Sequence, residues 1–305
     1  MERRALVTAS DCAAILGADP RRSALAVYAE KLGVAKDEDS VPARWGRRMQ
    51  EAIVQGYREE TGRFAEDRDP HELLRHPGVP WLAATLDAVT AGSQSNPAPV
   101  DWEDPATSPG QPLEIKAIGE WRREARDEEI PLQAQCQLQV QMACARATWG
   151  AVAAFVGITK PVLWADLPRN EAFLKAALPV LEQFHLRVQR REPDPAWADA
   201  KPSTAEAIKR LWPGENGQTL ALDAEAFSLM GELELARTRK RDAEKEERAA
   251  LAALRVRLGE ASFCGPCDDG SYIRQHRVDR APYQVDGTSY VTVSRWRPKG
   301  PRRRK

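Results

Sequence analysis

The sequence predicts an α/β protein with a helical and β-hairpin appendage at its C-terminal end. Three observations lead there. Segments of helical period and segments rich in β-branched, alternating residues succeed one another over residues 1–192, as expected of helices packed on a sheet. A proline-rich stretch, Pro193 to Pro202, interrupts that pattern, so residues 193–222 read as a linker with one short helix. Residues 223–305 then change character to a long charged helix, a β-hairpin and a basic tail.

Thr8-Ala-Ser10-Asp11 ahead of Cys12 to Gly17 reads as an N-cap, an acidic first turn, a short apolar helix and a glycine stop. A second helix runs from Ala24 to Leu32 and ends at Gly33; the charged stretch Lys36 to Ser40 leads to a third, from about Arg44 to Thr61, closed by Gly62. Met49, Ile53 and Tyr57 give it a core-facing stripe. Val79 to Val89 suggests a strand, Ala91 to Gln111 a proline-rich loop or hairpin tip, and Leu113 to Ile118 the next strand.

Ile130 to Ala147 fits two templates. Leu132, Ala134, Cys136, Leu138, Val140 and Met142 alternate with glutamines as in a strand, whereas Leu132, Cys136, Val140, Ala143 and Ala147 make a helical stripe. Length and the dominance of Gln, Ala, Leu and Met, all good helix formers, decide for helix. Trp149 to Val156 and Val162 to Ala165 read as a hairpin, with a turn at Gly157 to Pro161, and a helix from Glu171 to Arg191 closes this half. Beyond the linker helix, Ser203 to Trp212, comes Asp223 to Glu260, a solvated helix whose middle, Arg237 to Arg248, is almost entirely charged. Asp286-Gly287 is placed as a hairpin turn between Tyr283–Val285 and Tyr290–Val293, and Lys299 to Lys305 forms the basic tail.

Composition limits the function classes. Lys plus Arg and Asp plus Glu number 45 each, so contact with a polyanion must use local patches. Five cysteines, Cys12, Cys136, Cys144, Cys264 and Cys267, follow no secretory signal, and no long apolar run occurs; a reduced, soluble, cytoplasmic protein without membrane association is expected. Cys264-Gly-Pro-Cys267 has the spacing of half a zinc site, but without a second pair it reads as a loop with two free thiols. His71, His76, His185 and His276 lack the spacing of a zinc protease or hydrolytic triad, and no glycine-rich phosphate loop supports an ATPase.

The chemistry concentrates at Pro112-Leu-Glu114-Ile-Lys116, with Asp87 upstream at the end of Trp81 to Asp87. In an extended segment Glu114 and Lys116 share one face while Ile115 points behind them. Two carboxylates suit Mg²⁺, which takes oxygen ligands and keeps several waters, and an ammonium can orient an attacking water beside a phosphodiester. Taken alone, an E-x-K triplet in a chain that is 30% charged is a strand edge with solvated charges; its context gives it weight.

In order and spacing, these segments resemble the YqaJ family of viral recombinase exonucleases, relatives of the phage lambda exonuclease within the PD-(D/E)XK nuclease group. The resemblance rests on Thr8-Ala-Ser10-Asp11 with Ile15-Leu16-Gly17, Trp45-Gly46 at the third helix, Thr85-Leu86-Asp87, Leu113 to Lys116, and Ala134-Gln135-Cys136-Gln137. It implies a restriction-endonuclease-like core, a central mixed β-sheet flanked by helices, occupying residues 1–192. It further implies that Asp87, Glu114 and the Ile115 carbonyl bind Mg²⁺, with Mn²⁺ as a substitute, that Lys116 activates the water, and that Gln135 hydrogen-bonds the lysine, the water or the phosphate. Ser10 and Arg3, or Arg4 in its place, would capture a 5′-phosphate.

The implied activity is a DNA exonuclease on linear duplex ends, 5′ to 3′, in phage-type recombination. Its partners would be a single-strand annealing protein and further copies of itself in a ring trimer. A restriction-like or structure-specific endonuclease and a non-catalytic DNA-binding protein are the alternatives on the same fold. One departure stands out. Where the family places a glutamate on the third helix this chain has Gln50, with Glu51 turned about 100° away around the helix.

Overall fold

The chain folds as two units, Met1–Pro213 and Gly214–Lys305. The computed structural model describes residues 2–34, 41–91, 110–117, 130–157, 162–214, 217, 219, 221, 223–261, 263–264 and 273–274. The charged stretch 36–40, most of the loop 91–111, Ile118, most of the turn at 157–161, Cys267, the Asp286-Gly287 turn and the basic tail lie outside the described residues.

In the first unit a five-stranded mixed sheet lies between helices, in agreement with the predicted α/β class. Its strands are β2 (Phe64–Asp67), β5 (Ala88–Ala91), β6 (Gln111–Ala117), β7 (Trp149–Phe155) and β8 (Leu163–Pro168), in the order β2-β5-β6-β7-β8. Neighbours are antiparallel except β6 and β7, which run parallel because α4 (Leu132–Ala145) connects them. A second sheet, order β1-β4-β3, joins β1 (Val7–Thr8), β3 (Leu74–Arg75) and β4 (Leu82–Ala84).

Strand alternation sorts the sheet residues onto two faces. Ala65, Ala88, Leu113, Ala151 and Ala153 cluster with Ile53, Val54 and Tyr57 of α3 (Val41–Thr61), as the stripe on that helix predicts. Val152, between Ala151 and Ala153, packs on the opposite face against Ala134, Leu138 and Met142 of α4. Behind α4 a larger core gathers α1 (Ala9–Ile15), α2 (Ala24–Lys31), α5 (Glu171–Arg190) and α6 (Pro202–Leu211) around residues such as Val27, Tyr28, Leu181 and Phe184.

Two expectations change. The strand expected over Val79 to Val89 is two short strands in different sheets, β4 and β5, because the chain bends between Thr85 and Asp87. At that bend Gln141 Nε2 donates to Thr85 O at 3.2 Å, and Gln50 Nε2 at 2.8 Å joins Arg68 N at 3.0 Å on Asp87 O. The segment expected as a linker packs on the first unit instead, since Ala207, Trp197 and Leu211 join the large core and Ser203 Oγ accepts from Ser23 N at 3.1 Å. Prolines at 193–202 therefore shape an ordered turn into α6 and not a boundary.

The second unit contains α7 (Ala224–Leu258) and the short antiparallel pair β9 (Phe263–Cys264) and β10 (Ile273–Arg274). Asp223 caps α7 by accepting from Ala226 N at 2.7 Å. Among the described residues no helix is long and apolar enough to cross a membrane.

Gly150 on β7 lets α4 approach the sheet. A Cβ there would stand 2.8 Å from Leu138 Cδ1 and 3.0 Å from the Pro112 carbonyl, which cannot move without disturbing β6. Gly150→Ala is expected to destabilise the protein by about 1–3 kcal/mol, read as a lower urea midpoint at unchanged slope. An unchanged midpoint would mean the α4–sheet contact yields more readily than this packing implies.

Candidate active site

Of the residues singled out from the sequence, Asp87, Glu114 and Lys116 come together at the α4 face of the sheet. Leu113 pairs with Ala88 in the β5–β6 ladder and faces α3, so Glu114, one residue on, faces α4. Lys116 follows on the same face. Asp87 sits at the bend that opens β5, and its Oδ2 accepts from Ile115 N at 3.0 Å.

Glu114 has no exposed surface, and every oxygen of its carboxylate is engaged. Oε1 accepts from Lys116 Nζ; Oε2 accepts from Gln137 Nε2 at 2.8 Å and Gln141 Nε2 at 2.6 Å. Gln137 Oε1 in turn accepts from Lys116 Nζ at 3.2 Å, closing a ring of carboxylate, ammonium and amide. The Asp87 and Glu114 carboxyls are in hydrogen-bonding reach of one another. Burial and the Glu114 charge push Asp87 up to about 7, against the Ile115 N–H and the Lys116 ammonium. Burial disfavours the Lys116 ammonium, but Glu114 outweighs it and raises that group above its usual value. Such a pair of carboxyls, one of which holds a proton near neutrality, can exchange that proton for a cation.

Gln135 lies elsewhere: its Nε2 donates to the Ile130 carbonyl at 2.8 Å, and the glutamines that reach Glu114 are Gln137 and Gln141. Residues two apart on a helix point about 200° apart, so Gln135 and Gln137 cannot serve the same wall. Gln137 and Gln141, four residues apart, lie on one side of α4, but Gln133 and Gln137, or Gln135 and Gln139, share that spacing, so the sequence does not single the pair out. Gln141 is wholly buried, its Nε2 spans Glu114 and Thr85, and its Oε1 has no protein partner.

Gln50 borders the site through the Asp87 carbonyl and lies 3.3 Å from Asp67 Oδ1, a carboxylate that the sequence reading did not single out. Glu51 is exposed, one position around α3. Ser10 is exposed on the first turn of α1, with its hydroxyl 3.1 Å from Thr8 Oγ1. Beside it, buried Asp11 accepts from Thr8 N and Oγ1 at 2.9 and 2.7 Å and pairs with Lys31 at 2.6 Å and Arg22 at 2.9 Å. Burial opposes the Asp11 charge, yet those two cations outweigh it and hold the carboxyl below its usual range. Arg22 also donates to the Ser10 carbonyl at 3.2 Å. Arg3 and Arg4 are exposed, and the Arg3 carbonyl accepts from Lys31.

Cys12, Cys136 and Cys144 are buried free thiols; burial pushes Cys144 up to about 12 and Cys12 higher still, which makes them packing residues.

Comparison with known proteins agrees with the resemblance drawn from the sequence: residues 1–148 match the model of the YqaJ-like viral recombinase domain. Among solved structures the chain is similar to LHK-Exo in complex with dAMP, at 16% identity and a TM-score of 0.49, over 62% of this chain and 91% of that one. A second structure, an alkaline exonuclease (LHK-Exo) from Laribacter hongkongensis, is similar at 16% identity and a TM-score of 0.48, over the same shares. No curated protein matches the chain.

The position of Asp87 leaves a mark on stability. A carboxyl of this type ordinarily titrates near 3.8, whereas folding lifts Asp87 to about 7. Between those values the folded state binds the extra proton, so in chelator this contribution is full below about pH 4 and is lost as pH rises through about 7. Asp87→Asn is expected to flatten that slope and to stabilise the protein at pH 8 by about 1–3 kcal/mol, measured by urea unfolding across pH. A slope unchanged in the variant would assign it to another group.

Proposed function

We propose that this chain, whose first 148 residues carry a YqaJ-like viral recombinase domain, is a Mg²⁺-dependent exonuclease that degrades linear duplex DNA from the 5′ end. The observation that carries this reading is the meeting of Asp87, Glu114 and Lys116 on adjacent strands, with Glu114 locked in place by Gln137 and Gln141.

The donor set fits a hard divalent cation. Asp87 and Glu114 offer adjacent carboxyl oxygens, and the Ile115 carbonyl is the main-chain oxygen between Glu114 and Lys116. Among the described residues no group of three His, Cys, Asp or Glu could hold a metal, so two carboxylates, main chain and water would supply the ligands. This accords with glutamine at position 50, and with Mg²⁺, which keeps several waters; Mn²⁺ could replace it. When bound, the ion would stabilise charge developing on the phosphate oxygens and lower the pKa of a water.

The chain's own residues have separable tasks. Lys116 holds the attacking water and balances the charge of the incoming phosphate; Gln137 fixes the ammonium through its amide oxygen. Gln141 and Gln137 hold Glu114 at one orientation, and Gln50 holds the Asp87 backbone. In-line attack of the water oxygen on phosphorus would break the bond to the 3′ oxygen and release a 5′-mononucleotide.

Surroundings of the site favour a DNA end. Asp19, in the loop after α1, is near enough for its charge to act on Lys116. On that side Ser10 is exposed on the first turn of α1, and Arg3 is exposed nearby in sequence; these are the groups that would meet a terminal phosphate, while Arg22 is held by Asp11 and Glu30. On α3, upstream of Gln50, Trp45 is 55% exposed with the Arg48 guanidinium 5.4 Å from its ring centre, a pairing suited to stacking on a base beside a phosphate. Such an activity would serve phage-type recombination beside a single-strand annealing protein.

Purified protein with Mg²⁺ is expected to degrade a 5′-phosphorylated linear duplex to mononucleotides and to leave a closed circle intact. Glu114→Ala and Lys116→Ala should each lower the rate by at least about 100-fold. Gln137→Ala should cost about 10-fold through a misplaced lysine, whereas Gln135→Ala should change little. Cleavage of circles would instead indicate an endonuclease, and activity surviving both Glu114→Ala and Lys116→Ala would remove this site.

A further inference from the structure

Helix α7 spans 35 residues, about 50 Å at the α-helical rise, and has no buried residue among them. A helix of this length with a short apolar seam is stable as part of a larger assembly of helices more readily than alone in water. Leu229, Leu233, Ala236, Ala243, Ala250 and Leu254 recur at alternating intervals of four and three residues, and Lys240 and Glu247 occupy the two remaining positions of that seam. Leu229 is 56% exposed and Leu254 41%. The period is 3.5 residues, that of a left-handed coiled coil.

Charge selects the partner and its direction. Arg237, Arg239, Lys240 and Arg241 form a basic block, followed at once by an acidic one, Asp242, Glu244, Glu246 and Glu247, interrupted by Lys245. Each block would face its own kind if two such helices ran parallel in register. Antiparallel, about an axis between Arg241 and Asp242, each basic block meets the acidic block of the other helix. The apolar seam then falls into layers: Leu229 faces Leu254 of the second copy and Leu233 its Ala250. Lys240 and Glu247 stand opposite alanines, Ala243 and Ala236, and one layer from each other across the interface. Along the flanks Arg237 lies toward Glu244 of the second copy and Arg239 toward its Glu246.

We propose that α7 is a self-association helix that pairs antiparallel with α7 of a second copy of this chain. Hydrophobic layers at the two ends supply the burial, and the opposed charge blocks set direction and register. Within the helix Lys240 lies 3.9 Å from Glu244, a solvent-exposed and weak pair that leaves Glu244 able to turn toward the second copy.

The test uses the full chain in sedimentation velocity and light scattering at low salt. Wild-type protein should show an even multiple of the single-chain mass. A variant reversed in the basic block, Arg237→Glu with Arg239→Glu and Arg241→Glu, and one reversed in the acidic block, Asp242→Lys with Glu244→Lys and Glu246→Lys, should each have half the wild-type mass. Their dissociation constants should rise at least about 100-fold. Mixing the two variants should restore the wild-type mass, which also excludes misfolding as the cause of the loss. A wild-type monomer or trimer, an assembly that withstands either reversal, or a mixture that stays dissociated would overturn the proposal.

Discussion

A carboxylate with no solvent contact must have its lone pairs met by protein, and Glu114 imposes that condition on everything around it. Meeting it takes an ammonium two residues along the same strand and two amides from a helix crossing behind. The helix can supply them only if it lies against the sheet at a fixed rotation. That rotation is set by Leu138 seated over Gly150, where no side chain intervenes. Core packing and the polar site are therefore one arrangement seen from two sides of α4. Removing either amide would leave a buried charge short of a partner, a larger penalty than the hydrogen bond itself contributes.

The acidic pair and lysine were legible because β-strand period alone places Glu114 and Lys116 on one face, and the order of segments adds Asp87. The glutamines were harder. Ile130 to Ala147 fits both a strand and a helix template because α4 is buried nearly all round: Cys136, Val140 and Cys144 face one core, Leu138 and Met142 another, and Gln141 is buried between sheet and helix. With no polar face to mark solvent, Gln137 and Gln141, the two whose amides reach Glu114, cannot be told from Gln133, Gln135 or Gln139 by pattern. The latter is itself structural, its amide bridging Pro168 and Asn170.

The break between β4 and β5 was invisible for a related reason. Val79 to Val89 has uniform strand character, and what divides it is tertiary: at the bend the Gln141 amide meets the Thr85 carbonyl, while the Asp87 carbonyl keeps a backbone partner, Arg68 N, and takes the Gln50 amide as a second. Gln50 thereby acquires a role that a glutamate could not fill, since a carboxylate has no proton to donate to the Asp87 carbonyl. At this position an amide supplies a backbone tether where a carboxylate would supply charge. The prolines after α5 misled in the opposite sense, since composition marks a turn without saying whether its sequel packs.

Lys116 keeps 29% of its side-chain surface open, while Glu114 beneath it keeps 1%. The alcove consequently has an order of encounter. An anion arriving from solvent meets the ammonium before it feels the Glu114 carboxylate, whose field is spent inward on two amides and the lysine. A pocket with every acid in the open would repel a polyanion at the threshold; setting the deepest acid behind a cation lessens that repulsion.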